Sequence, residues 1–189
     1  VNYNLCYETI VKYILKPNDA IVDFYIHCWN KDLEKNLNNL YKPKKYLYED
    51  NTSYNNEISN LISKPEYFAA ASRALSIKKS IELIDDLSFY DLIVVYRPDL
   101  WLNKDINLNN YNLDQIYVNK FSECNGDFHF IMNPRLAYKF KNLYDSAKEN
   151  SPENHVWIKR YIKNILKEDI IEDDIVAGID QEVIRKLKL

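Results

Sequence analysis

Residues 90–102 read YDLIVVYRPDLWL, a short apolar run followed at once by two opposite charges. The apolar part, residues 92–96, is rich in β-branched side chains, which is typical of a strand buried on both faces. We therefore predict that it forms a central strand of a mostly parallel sheet. Pro98 ends this strand because it has no N–H to donate to a ladder, and it separates Arg97 from Asp99.

The charged ending has two interpretations that the spacing alone leaves open. In open α/β sheets, ligands bind just outside the carboxyl ends of the strands, which makes Arg97 and Asp99 candidates for a binding site. Alternatively, the two side chains form an ion pair that merely closes the strand at the surface.

Strand-like and helix-like patterns alternate on both sides of this stretch, which predicts an α/β sandwich around a mostly parallel sheet. Residues 49–64, rich in Asn and Ser, are predicted to form a mobile loop with room for one helical turn. The Asn-Gly-Asp sequence at 125–127 predicts a turn. The predicted strands are 21–27, 44–48, 92–96, 115–118 and 128–132, and the predicted helices are 6–15, 32–40, 65–87, 134–147 and one that begins at Pro152.

Length and composition argue against several classes of protein. The chain has 189 residues, enough for one domain with a buried core, and its net charge of −3 argues against general attraction to nucleic acid or anionic membranes. No apolar run approaches the roughly 18 residues of a membrane span. Three widely spaced cysteines offer neither a disulfide framework nor zinc-type spacing, and they favour a reducing, cytoplasmic location. With only 2 glycines, a Gly-rich phosphate loop is excluded.

Five short segments follow one another along the chain: VDFYIHCWN (22–30), YKP (41–43), SIKKSIEL (76–83), YDLIVVYRPDL (90–100) and NGDFHFI (125–131). In this order and spacing they resemble a family of small bacterial and viral glycosyltransferase-like proteins, and the resemblance extends to about residue 165. It implies a single domain over residues 1–189, with the three-layer α/β/α, Rossmann-like fold of the GT-A type. It also implies a transferase that uses a nucleotide sugar.

The resemblance puts the diphosphate of the donor at the end of the strand at 92–96. Many GT-A enzymes carry an Asp-x-Asp there, which holds Mg²⁺ or Mn²⁺ against the two phosphates, but this chain has Arg97 in place of the first acid. Asp99 is therefore expected to ligate a cation, while Arg97 either contacts phosphate directly or orients Asp99. Mg²⁺ or Mn²⁺ is the implied cofactor because both favour hard oxygen ligands.

The remaining candidate residues also come from the resemblance. Asp127 is the candidate general base for an inverting attack by a sugar hydroxyl, and the ordinary alternative is a simple turn aspartate. His27 and Trp29 would line the nucleotide pocket, whereas the ordinary alternatives are a core histidine and a buried tryptophan. Arg73 and Lys78 are further candidates for phosphate contacts, although the polar side of the helix at 65–87 is also consistent with a solvated face.

Members of the family begin with a strand that ends in a Gly- and Arg-containing turn, and residues 1–5 do not supply one. Either the natural N-terminal strand is missing or part of the donor site has been lost.

The sequence leaves two alternative functions. The first is a glycosyltransferase that moves a sugar from a nucleotide-sugar donor to a glycan or polysaccharide acceptor. The second is a non-catalytic, degenerate transferase-like module that binds a glycan or a protein partner.

Overall fold

The computed structural model describes residues 2–100, 102, 104–121, 124–148, 154–168 and 170–173, without the side chains of 119–128, 154–155 and 172–173. In these residues, six α-helices and six strands form a mixed α/β fold, which confirms the α/β class. The described strands form no single large parallel sheet of the kind that the expected three-layer, Rossmann-like arrangement needs. The helices are α1 (Tyr3–Ile10), α2 (Glu34–Tyr41), α3 (Asn55–Leu61), α4 (Phe68–Glu82), α5 (Pro134–Phe140) and α6 (Asn154–Arg160). The strands are β1 (Tyr25–Cys28), β2 (Lys45–Tyr48), β3 (Ile93–Tyr96), β4 (Ile116–Phe121), β5 (Cys124–Met132) and β6 (Ile170–Asp173).

The described strands form two small sheets. β1 pairs with β2 in parallel, and the second sheet has the order β3-β5-β4-β6. Within the second sheet, β5 is antiparallel to both β3 and β4, whereas β4 and β6 are parallel. Two pairings are therefore parallel and two antiparallel, so the prediction of one mostly parallel sheet is wrong.

β3, predicted to be a central strand, lies at the edge of its sheet among the described strands. Ile93 is 8% exposed and Val94 is 36% exposed, so one face of the strand is buried and the other is open. The apolar pattern does not distinguish the buried face from the open face, because Val94 on the open face is apolar as well. β4 and β5 are antiparallel because only two residues join them, which is too few for a crossover.

The predicted turn at residues 125–127 is also wrong, because these residues lie within β5. Asn125 pairs with Lys120, and Cys124 pairs with Phe121. The register shifts between Val118 and Lys120, opposite this part of β5. Glycine inside a strand is typical of such an irregularity, so Gly126 fits a disturbed ladder as well as it fits a turn.

Although β1 and β3 belong to different sheets, they point in the same direction. At their amino ends, the hydroxyl oxygens of Tyr25 and Tyr90 are 2.7 Å apart. At their carboxyl ends, Cys28 of β1, Tyr96 of β3 and Tyr3 of α1 pack against the same hydrophobic cluster. The backbone N–H of Leu102, after β3, donates to Thr9 Oγ1 of α1 at 3.2 Å. The carboxyl ends of β1 and β3 therefore meet beside α1.

Two hydrophobic clusters hold these elements together. One contains residues of α4, α5, α6 and the second sheet, and the other contains residues of α1, α2, β2 and the segment after β3. The apolar stripe predicted for residues 65–87 is confirmed at Ala74, Ile77 and Ile81, which are 2%, 6% and 3% exposed. Burial of this stripe fixes α4 against the sheet, while its polar side faces β1.

Several boundaries differ from those predicted. α3 forms inside the predicted loop at 49–64, where Ile58 is fully buried and Asp50 accepts a hydrogen bond from the backbone N–H of Thr52. α5 ends at Phe140 and is followed by two 3₁₀ turns, while α1 and α6 each continue as a π-helix. In the described part of the chain, no helix has the length and apolar character needed to cross a bilayer.

Candidate functional site

We give the name strand-end cluster to five residues from three parts of the chain: Tyr3, Cys6, Tyr41, Arg97 and Asp99. Tyr3 packs against the hydrophobic cluster that contains Tyr41 and Leu100, and Cys6 is buried one turn further along α1. The first two belong to α1, Tyr41 is the last residue of α2, and the charged pair follows β3. Their meeting depends on the parallel directions of β1 and β3, which bring the two strand ends to the same side of α1.

Arg97 and Asp99 form a bidentate ion pair. Arg97 Nε donates to Asp99 Oδ1 at 2.9 Å, and Nη2 donates to Oδ2 at 2.6 Å. A turn at Pro98 brings the two side chains together. In this turn, the N–H of Leu100 donates to the carbonyl of Arg97 at 3.2 Å. The ion pair of the second interpretation is therefore present, and a binding role for the pair stays a prediction. The side chains are 35% and 30% exposed, so a ligand can reach both.

The ion pair leaves Asp99 with capacity for further contacts. A carboxylate has about four lone-pair positions, and Arg97 occupies two of them. The remaining positions can accept hydrogen bonds from ligand hydroxyl groups or bind a cation. Arg97 holds the carboxylate in one orientation, as bidentate pairs do. Of the two roles expected for Arg97, this geometry provides the orienting one.

The other members of the cluster add neutral groups. Burial, followed by the charge of Asp99, raises the pKa of the Cys6 thiol to about 11, so this thiol stays protonated at neutral pH. Burial also raises the pKa of Tyr41, and the neighbouring Cys6, Tyr7, Asp99 and Tyr3 raise it further. The cluster therefore offers tyrosine hydroxyl groups and a protonated thiol beside one carboxylate.

A second group of polar side chains surrounds His27, and we call it the His27 network: His27, Glu49, Tyr54, Ser76 and Lys79. The His27 side chain is fully buried; its Nδ1 lies 2.7 Å from Ser76 Oγ and its Nε2 lies 3.1 Å from Glu49 Oε2. Because a carboxylate only accepts hydrogen bonds, Nε2 carries the hydrogen and Nδ1 accepts from Ser76. Burial lowers the pKa of His27 more than Glu49 raises it, so the ring is neutral at pH 7.

Glu49 is the centre of this network. Lys79 Nζ lies 2.8 Å from Glu49 Oε2, and the hydroxyl of Tyr54 donates to Oε1. Although burial raises the pKa of Glu49, the hydrogen bonds from Lys79, Tyr54 and His27 lower it below its usual range. Each member has partners within the network, which is the condition for a stable buried polar group. The network thereby joins β1, the end of β2 and α4.

Trp29 packs against the same network. Its ring centroid is 4.4 Å from that of His27 and 5.3 Å from that of Tyr54, and its indole Nε1 is buried. The Trp29 ring already packs against two rings of the protein, which favours the buried-tryptophan alternative over a ring that stacks on a nucleotide base. The complete burial of His27 likewise favours the core-histidine alternative.

The remaining sequence candidates lie in other surroundings. Lys78 Nζ is 2.8 Å from both carboxylate oxygens of Asp145, which begins the second 3₁₀ turn after α5. Arg73 lies half-buried on α4. The backbone of Asp127 belongs to β5, and its side chain lies outside the described part of the structure. Of the predicted set, the structure therefore brings together Arg97 with Asp99, and His27 with Trp29.

Metal binding has limited support from the described side chains. Among them, no three His, Cys, Asp or Glu residues lie together as a metal site requires. In the strand-end cluster, Asp99 is the single carboxylate, so a cation there would take its other oxygen ligands from phosphate and water.

Comparison with known proteins leaves the resemblance as a hypothesis. The chain matches no protein-family model and no curated protein sequence.

Sequence reasoning missed seven members of these two groups: Tyr3, Cys6, Tyr41, Glu49, Tyr54, Ser76 and Lys79. Ser76 and Lys79 are three residues apart and share the face of α4 that the pattern assigns to solvent. Glu49 directly follows β2, whose Leu47 pairs with His27. Glu49 lies beside His27 because β1 and β2, which are 20 residues apart in sequence, pair in parallel. Local sequence patterns do not show which strands pair, so this contact could not be predicted from them.

Proposed function

We propose that the protein is a nucleotide-sugar-dependent glycosyltransferase of the GT-A type, with the strand-end cluster as its donor site. The observation that carries this proposal is the packing of the carboxyl ends of β1 and β3 beside α1, where Asp99 is accessible. Ligands of α/β proteins bind at such strand ends. The resemblance of the five segments supports the reaction class.

In this proposal, Asp99 binds the donor, either through a sugar hydroxyl or through Mg²⁺ or Mn²⁺ held against the diphosphate. Such a cation would neutralise the charge that develops on the leaving group. Arg97 positions Asp99 and places a positive charge near the phosphates.

The proposed reaction is a single displacement. The oxygen of an acceptor hydroxyl, on a glycan or polysaccharide, bonds to the anomeric carbon of the donor sugar, and the bond from that carbon to the diphosphate breaks. The hydroxyl proton passes to a base, for which Asp127 remains the candidate. A cytoplasmic location is part of the same proposal.

The alternative, a non-catalytic transferase-like module, is favoured by one specific observation. Asp99 neutralises Arg97, while His27 and Trp29 are engaged in the buried network. The charge of Arg97 is then less available to a diphosphate than the sequence alone suggests. Such a module would bind a glycan or a protein at the same exposed pair.

Isothermal titration with UDP, GDP and dTDP, with and without Mn²⁺, tests the proposal. We expect one nucleoside diphosphate to bind, and Arg97→Ala to weaken that binding by about tenfold or more because the carboxylate loses its orientation and the phosphates lose a charge. Arg135→Ala is the matched control, since Arg135 is an exposed arginine whose ion pair with Glu168 spans 3.5 Å. Binding that is absent in the wild-type protein, or equal in both variants, contradicts the proposal. Binding of a neutral oligosaccharide alone would support the module instead.

A further inference from the structure

The segment that contains α5 and α6 is positively charged in a chain whose overall charge is negative. Residues 134–168 hold eight Lys and Arg residues and four acids, whereas the net charge of the whole chain is −3. The structure describes the side chains of two of these acids, and both form ion pairs: Asp145 with Lys78, and Glu168 with Arg135. An uneven distribution of charge gives one side of a molecule a potential that its net charge does not reveal.

Two contacts place α5 and α6 side by side and antiparallel. The hydroxyl of Tyr161, the first residue of the π-helix that continues α6, donates to the carbonyl of Lys139 at 2.7 Å. Beyond the end of the same π-helix, Glu168 Oε1 lies 3.5 Å from Nη1 and Nη2 of Arg135 in the first turn of α5. Both helices bury one side in the hydrophobic cluster of the second sheet, so their opposite sides face solvent.

The solvent-facing side of this helix pair combines cationic and apolar side chains. We call it the basic face, and its members are all exposed: Tyr138, Lys139, Val156, Arg160, Lys163 and Lys167. Tyr138 and Val156 are 59% and 45% exposed, which is unusual for side chains of their size. Val156, Arg160 and Lys163 follow one another at intervals of four and three residues, the spacing of neighbours on one side of a helix.

We propose that the basic face binds the surface of a membrane that contains anionic phospholipids. The Lys and Arg side chains are attracted to the negative headgroups, while Tyr138 and Val156 enter the boundary between headgroups and acyl chains. Tyrosine suits this boundary because its ring is apolar and its hydroxyl is polar. None of these residues belongs to the strand-end cluster, so the membrane contact does not depend on the transferase reaction.

Other anionic partners fit the face less well. A nucleic acid duplex also presents phosphates, but its backbone offers no apolar layer to cover Val156 and the ring of Tyr138. A helix that carries cations together with exposed apolar side chains is typical of binding at a membrane surface.

Co-sedimentation with vesicles tests the proposal. We expect the wild-type protein to bind vesicles of phosphatidylcholine with about one-third phosphatidylserine, and to bind phosphatidylcholine alone much more weakly. The double variant Lys139→Ala/Lys163→Ala should bind the anionic vesicles about 20-fold more weakly, since each lysine near such a surface contributes roughly fivefold. Its melting temperature should equal that of the wild type, because both side chains are exposed.

The matched control is Lys31→Ala/Lys35→Ala, which removes two exposed lysines at the start of α2. It changes the net charge by the same amount and should keep the wild-type affinity for the vesicles. Equal losses in the two double variants would mean that overall charge, and not the basic face, governs binding, and would overturn the inference.

Tyr138→Ser separates a membrane from other anionic partners because it leaves the charge unchanged. It should weaken binding to the anionic vesicles and leave any binding to a DNA duplex of the same salt dependence unaltered. Three outcomes overturn the inference: a wild-type protein that does not bind the anionic vesicles, one that binds both kinds of vesicle equally, and a Tyr138→Ser variant with wild-type vesicle binding in a protein that binds the duplex as tightly. The last outcome would assign the face to nucleic acid.

Discussion

A single side chain, Trp29, decides whether the residues after β1 belong to the core or to a nucleotide pocket. Its ring contacts with His27 and Tyr54 favour the core. We therefore expect Trp29→Ala to lower the free energy of unfolding by about 3 kcal/mol, as large-to-small changes at packed aromatic residues do. Nucleoside diphosphate affinity should not change. Urea denaturation and nucleotide titration of the same sample measure the two effects.

The matched variant Trp29→Phe should recover most of the lost stability because it keeps an aromatic ring against His27. The opposite outcome is a variant of nearly wild-type stability whose nucleotide affinity drops by about 1–3 kcal/mol, the range for loss of base stacking. That result would return Trp29 to the nucleotide pocket.

At the scale of elements, the His27 network fastens β1 and the end of β2 to α4. Glu49 accepts hydrogen bonds from residues of β1, α4 and the turn that precedes α3. Glu49→Gln keeps the size of the side chain but removes its charge, which leaves Lys79 without its carboxylate. We expect a loss of about 2–3 kcal/mol in the free energy of unfolding, the scale for hydrogen bonds to charged groups.

Chemical denaturation of Glu49→Gln, Lys79→Met and the double variant checks this coupling. If the two side chains act as a pair, the double variant should be less destabilised than the sum of the single variants. Additive losses, or a Glu49→Gln variant as stable as the wild type, would contradict a network that fastens the three elements.

Local patterns predicted most elements but not their pairing. The helices at α1, α2, α4 and α6 and the strands at β2 and β3 follow from apolar spacing and from breakers such as Pro17, Pro65 and Pro134. The position of β3 at a sheet edge does not follow, because Val94 is apolar although it is open to solvent. The sequence also leaves the torsion angles around Pro98 undetermined, so the bidentate contact of Arg97 with Asp99 was one of two open interpretations.

At the scale of the whole molecule, two buried histidines make stability depend on pH. Burial lowers the pKa of His129 to about 4, from an ordinary value of 6.5, and burial also lowers the pKa of His27. A histidine whose pKa is lower in the folded state contributes stability that is present above pH 6.5. This contribution is lost as the pH falls toward the folded value. His129 alone should therefore cost the protein about 3 kcal/mol between neutral pH and about pH 4.

His129→Leu removes this titration and suits the apolar side chains around the position, Ile14, Val94, Ile106 and Ile131. Urea denaturation near pH 7 and near pH 4 should show a smaller pH dependence in the variant than in the wild type, with His27 titrating in both. Equal pH dependence of the two proteins would mean that His129 is not held neutral by burial.

Turnover of a nucleotide sugar is the measurement that tests the proposed transferase most directly. We expect the wild-type protein to release nucleoside diphosphate from one donor, slowly to water and faster once an acceptor is present. Asp99→Asn should lower this rate by on the order of 100-fold or more while the melting temperature changes little, because an amide lacks the charge that stabilises the transition state. If Asp99 acts through Mg²⁺ or Mn²⁺, EDTA should lower the wild-type rate as well. A wild-type protein that releases no nucleoside diphosphate from any donor, or an Asp99→Asn variant that keeps the full rate, would contradict the assignment.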